Sequence, residues 1–541
     1  SGAGAQPGPA AAPAAVASDA RERGGATPGA VRPDRAEPAP TGPTRPTGSA
    51  SRAARFAALE RDLAAIVARW KSAGRKLTKD RPQAEEARVA VVVRGLEGAK
   101  DVPRVALDAS RAMRPASNMK LVTSAAALEG LGADGVFRTR FVADGSLERG
   151  VLDGDLVVEA GGDPWYLEEA HGSVEAWLRP LVQRLRSAGL TRVKGALVLD
   201  ETDFAEPGPA PGWPPENQYW SESCALSGGF SANAGCITAR VTPGKPGEPA
   251  RVTLEPRGHG LGTRIDVRTG AARSRLDVAV GVQGGVIVVR GSFPADVPEW
   301  ETRFSAGDPV RLFGAVLLAG LEAGGIVIEG RTPGADKVVR ERGRAALAES
   351  ARRAVEFARL ETPIVWSLRA INTDSNNSVA DQLFLAFGHH RGGAGTREGA
   401  ARATREALKR LGVPTTGYEQ IDGSGLSRGN RVSAEQRSAL LVAVHARPEA
   451  WKLYRGSLAV GGESGRLASR FDGPDLRGRV HAKTGWISGT SALSGVVETD
   501  GGEELCFSIL VEYPDVSSMN TSVWKPMQDE LCARIARWGR D

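Results

Sequence analysis

The sequence predicts a mixed α/β (α+β) fold, with helices around an antiparallel sheet and β-rich material set between them. Three observations carry this. Apolar residues fall at helical spacing near both ends of the 541-residue chain, short strand-like runs fill the stretch from about 138 to 335, and two apolar runs near the C-terminus are joined by a tight turn. With 41% hydrophobic residues the chain can bury a real core, and its length suits about three domains. The composition excludes a wholly disordered, collagen-like or disulfide-scaffold protein. Lys+Arg number 70 against 64 Asp+Glu, a net charge of +6 with no basic block, so nucleic acid is not an expected partner. Only 12 of the 70 basic residues are lysines, which makes each lysine informative.

Residues 1–52 are expected to be a disordered Ala/Pro/Gly-rich tail: the first 50 hold 14 Ala, 9 Pro and 8 Gly. Such a stretch buries too little surface to offset its ordering entropy, and it suits either a tether or a tolerated low-complexity terminus. Order is expected from Ala53. Phe56, Leu59, Leu63, Ile66, Val67 and Trp70 give an amphipathic helix of four to five turns, and strands follow at Arg88–Arg94 and Arg104–Asp108. An Ala-rich helix begins at the Arg114–Thr123 stretch and stops at Gly130/Gly132. Between 138 and 335, Thr139–Val142, Leu156–Ala160, Arg192–Leu199, Arg251–Leu254, Leu276–Val280 and Gly285–Val289 read as strands, punctuated by Gly and Pro. Helices return at Val310–Ala323 and Gly399–Leu411, and Ser433 with Gln436 makes a capping box ahead of Arg437–Ala446. Ala492–Glu498 and Leu505–Tyr513 pair across Asp500-Gly501-Gly502, and Val523, Met527, Leu531 and Ile535 mark a last helix. No internal repeat is present.

Cys224 and Cys236 are 12 apart and could close a loop in an oxidising compartment, whereas Cys506 and Cys532 read as small core residues. The six histidines include no H-E-x-x-H, so neither a metal nor another cofactor is expected. No apolar run approaches transmembrane length. The chain opens at Ser1 with neither initiator Met nor signal peptide, which reads as a removed leader or a trimmed chain.

Three short motifs carry chemistry: Ser117-Asn118-Met119-Lys120 (S-x-x-K), Ser375-Asn376-Asn377 (S-x-N) and Lys483-Thr484-Gly485 (K-T-G). A chain of this composition holds about one S-x-x-K by chance, so the weight rests on the trio and its order. With Ser117 opening the helix, Lys120 shares its face and can act as base toward the hydroxyl once neutral. Burial and a second cation, here Lys483, would push its pKa down. Ser375 could relay a proton and Asn377 could hold Lys120 and a substrate amide, although an ordinary helix cap explains the same residues. Lys483-Thr484-Gly485 ends the strand begun at Val480–Ala482, with the Gly admitting a substrate backbone and Lys and Thr binding a carboxylate.

The trio occurs in penicillin-binding proteins and class A β-lactamases. The 258-residue interval from Ser117 to Ser375, with Pro115-Ala116-Ser117, Gly161-Gly162-Asp163-Pro164, Trp213-Pro214 and Asp422-Gly423-Ser424-Gly425-Leu426-Ser427-Arg428, resembles one family more narrowly. This is the large-insert D-alanyl-D-alanine carboxypeptidase/endopeptidase family of low-molecular-mass penicillin-binding proteins, DacB-like serine peptidases. The resemblance implies a split serine transpeptidase/β-lactamase-like domain in 53–140 and 341–541, interrupted by inserted β-rich domains in 141–340. It implies an exported periplasmic or cell-envelope hydrolase acting on peptidoglycan stem peptides. Ser117 would form the acyl-enzyme, Lys120 act as base, Ser375 and Asn377 assist, and Lys483 with Thr484 grip the terminal carboxylate. The backbone N–H groups of Ser117 and Trp486 would form the oxyanion hole, with Gly485 beside them, and β-lactams would acylate the same serine. Glu216, Asn217 and Tyr219 are candidates for the substrate side-chain pocket or simply a solvated loop.

Three positions depart from the family pattern. Trp486 replaces a small hydroxyl residue and is expected near the substrate path, Gly462-Glu463-Ser464-Gly465-Arg466 replaces an Asp-Gly-Thr turn, and Thr373 replaces a basic residue. A β-lactamase or esterase on the same scaffold, and a catalytically quiet peptidoglycan-binding scaffold, are the competing readings.

Overall fold

The computed structural model describes residues 49–79, 86–97, 104–164, 171–341, 355–516 and 518–539. The expected tail over 1–48 therefore lies outside the described residues. The first helix is Ser49–Leu77, so residues 49–52 are helical rather than part of the tail.

A six-stranded sheet organises the termini, in the order Ala459–Val460, Val480–Ile487, Thr490–Glu498, Glu504–Glu512, Arg88–Gly95 and Arg104–Leu107. Every neighbouring pair runs antiparallel. Strand alternation divides its residues between two cores. Val89, Val91, Val93, Leu493 and Val497 pack on the Ser49–Leu77 and Lys525–Ala536 helices through Phe56, Leu59, Leu63, Met527 and Leu531. Ala90, Val92, Ala492 and Leu510 meet the helix Ala434–His445, which starts with the expected Ser433/Gln436 capping box. Beyond it, Met119–Leu131 and Asn377–Gly392 bury Val122, Ala125, Val379, Ala380 and Leu383 in one apolar layer. Helices thus cover both faces of an antiparallel sheet.

The intervening chain carries its own core. One sheet runs Val327–Ile328, Arg192–Val193, Val151–Glu159, Val136–Glu148 and Val355–Pro363, with Leu197–Asp200 and Val338–Glu341 continuing beside Val151–Glu159. Two three-stranded sheets follow, Asp277–Gln283/Val286–Pro294/Gly262–Gly270 and Trp300–Ser305/Cys236–Thr242/Arg251–Glu255. The sequence reading omitted the helix Val174–Ser187, whose Leu178, Leu181, Val182 and Leu185 are buried. Pro180 disguises it, although Ser173 caps it by accepting from the Ala176 N–H at 3.1 Å. Cys224 and Cys236 are both buried and unbonded, so no disulfide closes that loop; Cys506 and Cys532 are buried core thiols as expected.

Candidate active site

The nucleophile turn is a 3-10 segment, Ala116–Asn118, that feeds the Met119–Leu131 helix. Ala116 just before Ser117 has φ 49, and Ser375 has φ 65, left-handed values that L-residues hold only when surroundings enforce them. One enforcing contact is visible. A Cβ at Gly425 would stand 1.9 Å from the Ala116 carbonyl oxygen, so the Asp422–Arg428 loop lies against the turn backbone. Gly425 itself needs its φ of +85.

Lys120 is fully buried, and its Nζ reaches three acceptors: Ser117 Oγ at 3.1 Å, Asn377 Oδ1 at 2.6 Å and the Ser424 carbonyl at 2.7 Å. A neutral amine has two donors and one lone pair. Donating to Asn377 and Ser424 leaves the lone pair for the Ser117 hydroxyl proton. Burial pulls the Lys120 ammonium down to about 7, against the upward pull of Asp381 and Asp422 and with help from Arg466. Lys120 and Lys483 each disfavour the other's charge, and Arg466 adds to the downward pull on Lys120. Lys483, also fully buried, is held well below its usual range by burial, Lys120 and Arg466. Its Nζ donates to Ser375 Oγ at 2.8 Å and to the Thr484 carbonyl at 3.0 Å.

The S-x-N loop opens the Asn377–Gly392 helix, and Asn376 caps it by accepting from the Val379 N–H at 3.0 Å. The cap and the functional reading hold together: Asn376 caps, while Asn377 faces Lys120. Asn377 Nδ2 donates to the Ser223 carbonyl at 2.7 Å, so the inserted region fixes which way the amide points.

The K-T-G residues do not end a strand. Val480–Ile487 runs through them, with Lys483 opposite Ser494 and Gly485 opposite Ala492. A Cβ at Gly485 would lie 2.8 Å from the Pro115 carbonyl and 3.2 Å from the Ser117 nitrogen, so glycine lets this strand close on the nucleophile turn. Alternation places Thr484 and Trp486 on the other face. The exposed Trp486 ring is tied back, its Nε1 donating to Tyr513 Oη at 3.2 Å. It therefore stands on the Thr484 face at the strand edge rather than across the Ser117–Lys120 face.

Several contributors were missed from sequence. Asn118, in a variable place of S-x-x-K, donates to the Lys483 carbonyl at 2.7 Å and accepts from buried Arg437 at 2.5 Å, joining the nucleophile turn to the K-T-G strand. Asp381, one turn after Asn377, accepts the N–H groups of Gly423 and Ser424 at 2.7 and 2.8 Å. It thereby holds the backbone leading into Ser424, whose carbonyl accepts from Lys120. Burial, then Asp422, pushes the Asp381 carboxyl up to about 7, and Lys120 opposes the rise. Its i+4 offset from Asn377 was the available signal. Asp422 accepts from Trp213 Nε1 and the Ser427 N–H at 2.8 and 2.7 Å, and from the Gly425 N–H and Asn430 at 2.7 and 2.8 Å. Of the side-chain pocket candidates, Glu216 and Asn217 lie in the exposed 3-10 turn Glu216–Gln218, and Tyr219 stands edge-on to Trp213 at 6.5 Å.

The D-Ala-D-Ala carboxypeptidase 3 (S13) family matches residues 73–533. The chain is 34% identical over 420 residues to the D-alanyl-D-alanine carboxypeptidase of Actinomadura sp. (strain R39), covering 74% of each chain. It is 26% identical to carboxypeptidase DacB of Mycolicibacterium smegmatis, over 74% of this chain and 71% of that one. Among solved structures, penicillin binding protein 4 (dacB) of Haemophilus influenzae superposes with a TM-score of 0.67 at 21% identity, over 85% of this chain and 97% of that one. That likeness shows a shared fold, the transpeptidase/β-lactamase-like arrangement expected from sequence.

Proposed function

The chain belongs to the D-Ala-D-Ala carboxypeptidase 3 (S13) family and is a D-Ala-D-Ala carboxypeptidase, and on that premise we propose which residues perform the reaction. The carrying observation is the three-acceptor seat of Lys120, with Ser117 Oγ 3.1 Å from a buried amine whose pKa has fallen to about 7. Ser117 attacks the carbonyl of the penultimate D-Ala as Lys120 takes its proton. The oxyanion forms between the Ser117 and Trp486 backbone N–H groups, where the strand closes on the turn. Lys120 then returns the proton, through Ser375 held by Lys483, to the departing D-Ala amine. Water hydrolyses the acyl-enzyme with the same amine as base. Endopeptidase cleavage follows the same steps with a larger leaving group.

The substrate is read as the peptidoglycan stem peptide, and β-lactams as inhibitors that acylate Ser117. A solved complex of the Haemophilus influenzae protein with a β-lactam supports this reading. Such a substrate lies outside the cytoplasm, so the protein is read as exported; among the described residues no helix is long and apolar enough to cross a membrane. The divided domain (53–140 with 341–541) around an insert (141–340) is retained as the organisation of the chain, with Ser223 and Trp213 of the insert serving the site.

Intact-protein mass after incubation with a β-lactam, for wild type and Ser117→Ala, tests the assignment. A one-to-one adduct on wild type alone is expected. An adduct on both proteins, or none on folded wild type, overturns it.

A further inference from the structure

Arg437 is a fully buried cation in the first turn of the Ala434–His445 helix. The capping box fixes that turn: Ser433 Oγ accepts the Gln436 N–H at 3.1 Å, and Gln436 Oε1 accepts the Ser433 N–H at 2.8 Å. From there the guanidinium reaches the nucleophile turn, where its Nη1 donates to Asn118 Oδ1 at 2.5 Å. Its Nε and Nη2 have no hydrogen-bond partner among the described residues, and no carboxylate there pairs with it. Its electrostatic neighbours are two fully buried phenols, Tyr418 and Tyr454. Their hydroxyls donate elsewhere, to Gln420 Oε1 at 2.5 Å and to the Leu121 carbonyl at 2.8 Å. Burial pulls Arg437 down to about 9, so it is still charged at neutral pH. A buried charge without a counter-charge is costly, and an apolar side chain would fill the space with less penalty. What the guanidinium supplies that an apolar group cannot is a donor aimed at Asn118.

That donor decides which way the Asn118 amide points. An asparagine amide presents an acceptor at one end and a donor at the other, whereas a guanidinium only donates. Arg437 therefore holds Oδ1 toward itself, which turns Nδ2 to the Lys483 carbonyl at 2.7 Å. With the amide reversed, oxygen would face oxygen, and the link from turn to strand would be lost. Asn118 is fully buried, as is Lys483. The link crosses the seam where the K-T-G strand closes on the turn. Asn118 follows Ser117 directly, Trp486 lies three residues beyond Lys483, and a Cβ at the intervening Gly485 would stand 3.0 Å from the Asn118 nitrogen.

We propose that Arg437 is a positioning residue for the oxyanion site: by fixing the Asn118 amide it sets the separation of the Ser117 and Trp486 N–H groups. This rests on the assignment of those two donors given above. Arg437 acts through the amide and not through the base, because the charges that bear on Lys120 are Asp381, Asp422, Lys483 and Arg466.

A double-mutant cycle on the full chain tests this, with acylation by a fluorescent penicillin followed by stopped flow and normalised to the sites that acylate. Arg437→Met and Asn118→Ala are each expected to slow acylation about tenfold, and the double variant should be no slower than the slower single. The acid limb of the pH profile should stay at the wild-type position. An acylaminoboronic acid, whose tetrahedral adduct on Ser117 places an oxygen between the two N–H groups, should bind Arg437→Met about tenfold more weakly than wild type. Arg437→Lys keeps a donor and should recover part of the rate; it takes the place of the methionine variant in the cycle if that variant does not fold. Wild-type acylation in the Arg437 variants, losses that multiply in the double variant, or a displaced acid limb overturn the proposal. A folded wild type that takes no adduct refutes instead the site assignment on which it rests.

Discussion

Trp213 of the inserted region donates its indole N–H to Asp422 Oδ2 at 2.8 Å, across 209 residues of chain. Asp422 is buried, and the same oxygen takes the Ser427 N–H at 2.7 Å. The insert therefore helps shape the loop whose Ser424 carbonyl holds Lys120. Trp213→Phe keeps the ring and removes the donor, leaving a buried carboxylate one hydrogen bond short. The expected cost is about 1–3 kcal/mol of stability. Acylation by a β-lactam should slow by about tenfold, because a loosened Ser424 carbonyl no longer fixes the amine. Denaturant unfolding and acylation kinetics measure the two. A variant with wild-type values in both would mean that the insert does not support the loop.

Lys120 acts only when neutral, and burial places its pKa at about 7. The rate constant for acylation should fall about tenfold per pH unit below that point and level off above it. Asp381 raises Lys120, while Arg466 lowers it. Asp381→Asn keeps an acceptor oxygen for the Gly423 and Ser424 N–H groups but removes the charge, so the acid limb should move to lower pH. Arg466→Gln should move it to higher pH. Lys120 and Asp381 titrate as a pair near 7, so wild type reports the pair and Asp381→Asn the lysine. Acylation rates from pH 5 to 9 decide this, and limbs moving in the opposite directions would refute it.

Much of this site was legible from sequence, because each motif is local. S-x-x-K puts Ser117 and Lys120 on one helical face, and the S-x-N residues announce their cap. Asn118, Asp381 and the Ser223 carbonyl were not legible, because their roles come from pairings 365, 42 and 154 residues apart that only the folded chain makes. Trp486 shows a different limit. Its side of the sheet depends on K-T-G lying inside a strand, and placing the motif at a strand end hid the alternation that turns the ring toward Tyr513. The helix Val174–Ser187 escaped because Pro180 argues against a helix locally, whereas tertiary burial of five apolar residues outweighs it.

Lys483 costs the folded chain stability at neutral pH, because burial disfavours its ammonium. Its folded-state pKa lies well below its unfolded value, so the folded chain binds fewer protons there than the unfolded chain. Its contribution is full above the unfolded pKa and is progressively lost as pH falls from there toward the folded value. Lys483→Met removes that dependence. The variant should be inactive, and wild type should gain stability relative to it as pH rises from 7 to 10. Urea unfolding across that range checks the slope, and parallel curves would show that Lys483 is not held neutral.

Cys224 and Cys236 are both free, so the loop between them is held by packing and hydrogen bonds such as that of the Gly228 N–H to Gln382, with no covalent link. Reductant should leave the thermal midpoint unchanged, and alkylation after unfolding without reductant should label all four cysteines. Labelling of only two would place a disulfide in the protein.

Gly485→Ala gives the sharpest separation between fold and function. The strand pairs Gly485 with Ala492, and its backbone does not need a positive φ, so alanine carries no intrinsic backbone strain there. The obstacle is what the new methyl meets: the Pro115 carbonyl at 2.8 Å, the Asn118 nitrogen at 3.0 Å and the Ser117 nitrogen at 3.2 Å. All three are backbone atoms of the nucleophile turn, so no side chain can swing away. Either the turn or the strand must retreat by a few tenths of an ångström, which parts the two N–H groups that receive the oxyanion. Overpacking of this kind costs about 1–3 kcal/mol. The loss in acylation should be larger, about 100-fold, since misplaced donors forfeit stabilisation that exists only in the transition state. Gly281→Ala, at a strand position with nothing within 4 Å of its new methyl, is the control and should leave acylation unchanged. If Gly485→Ala acylates as fast as the control, the closure of the strand on the Ser117 turn is not what forms the oxyanion site.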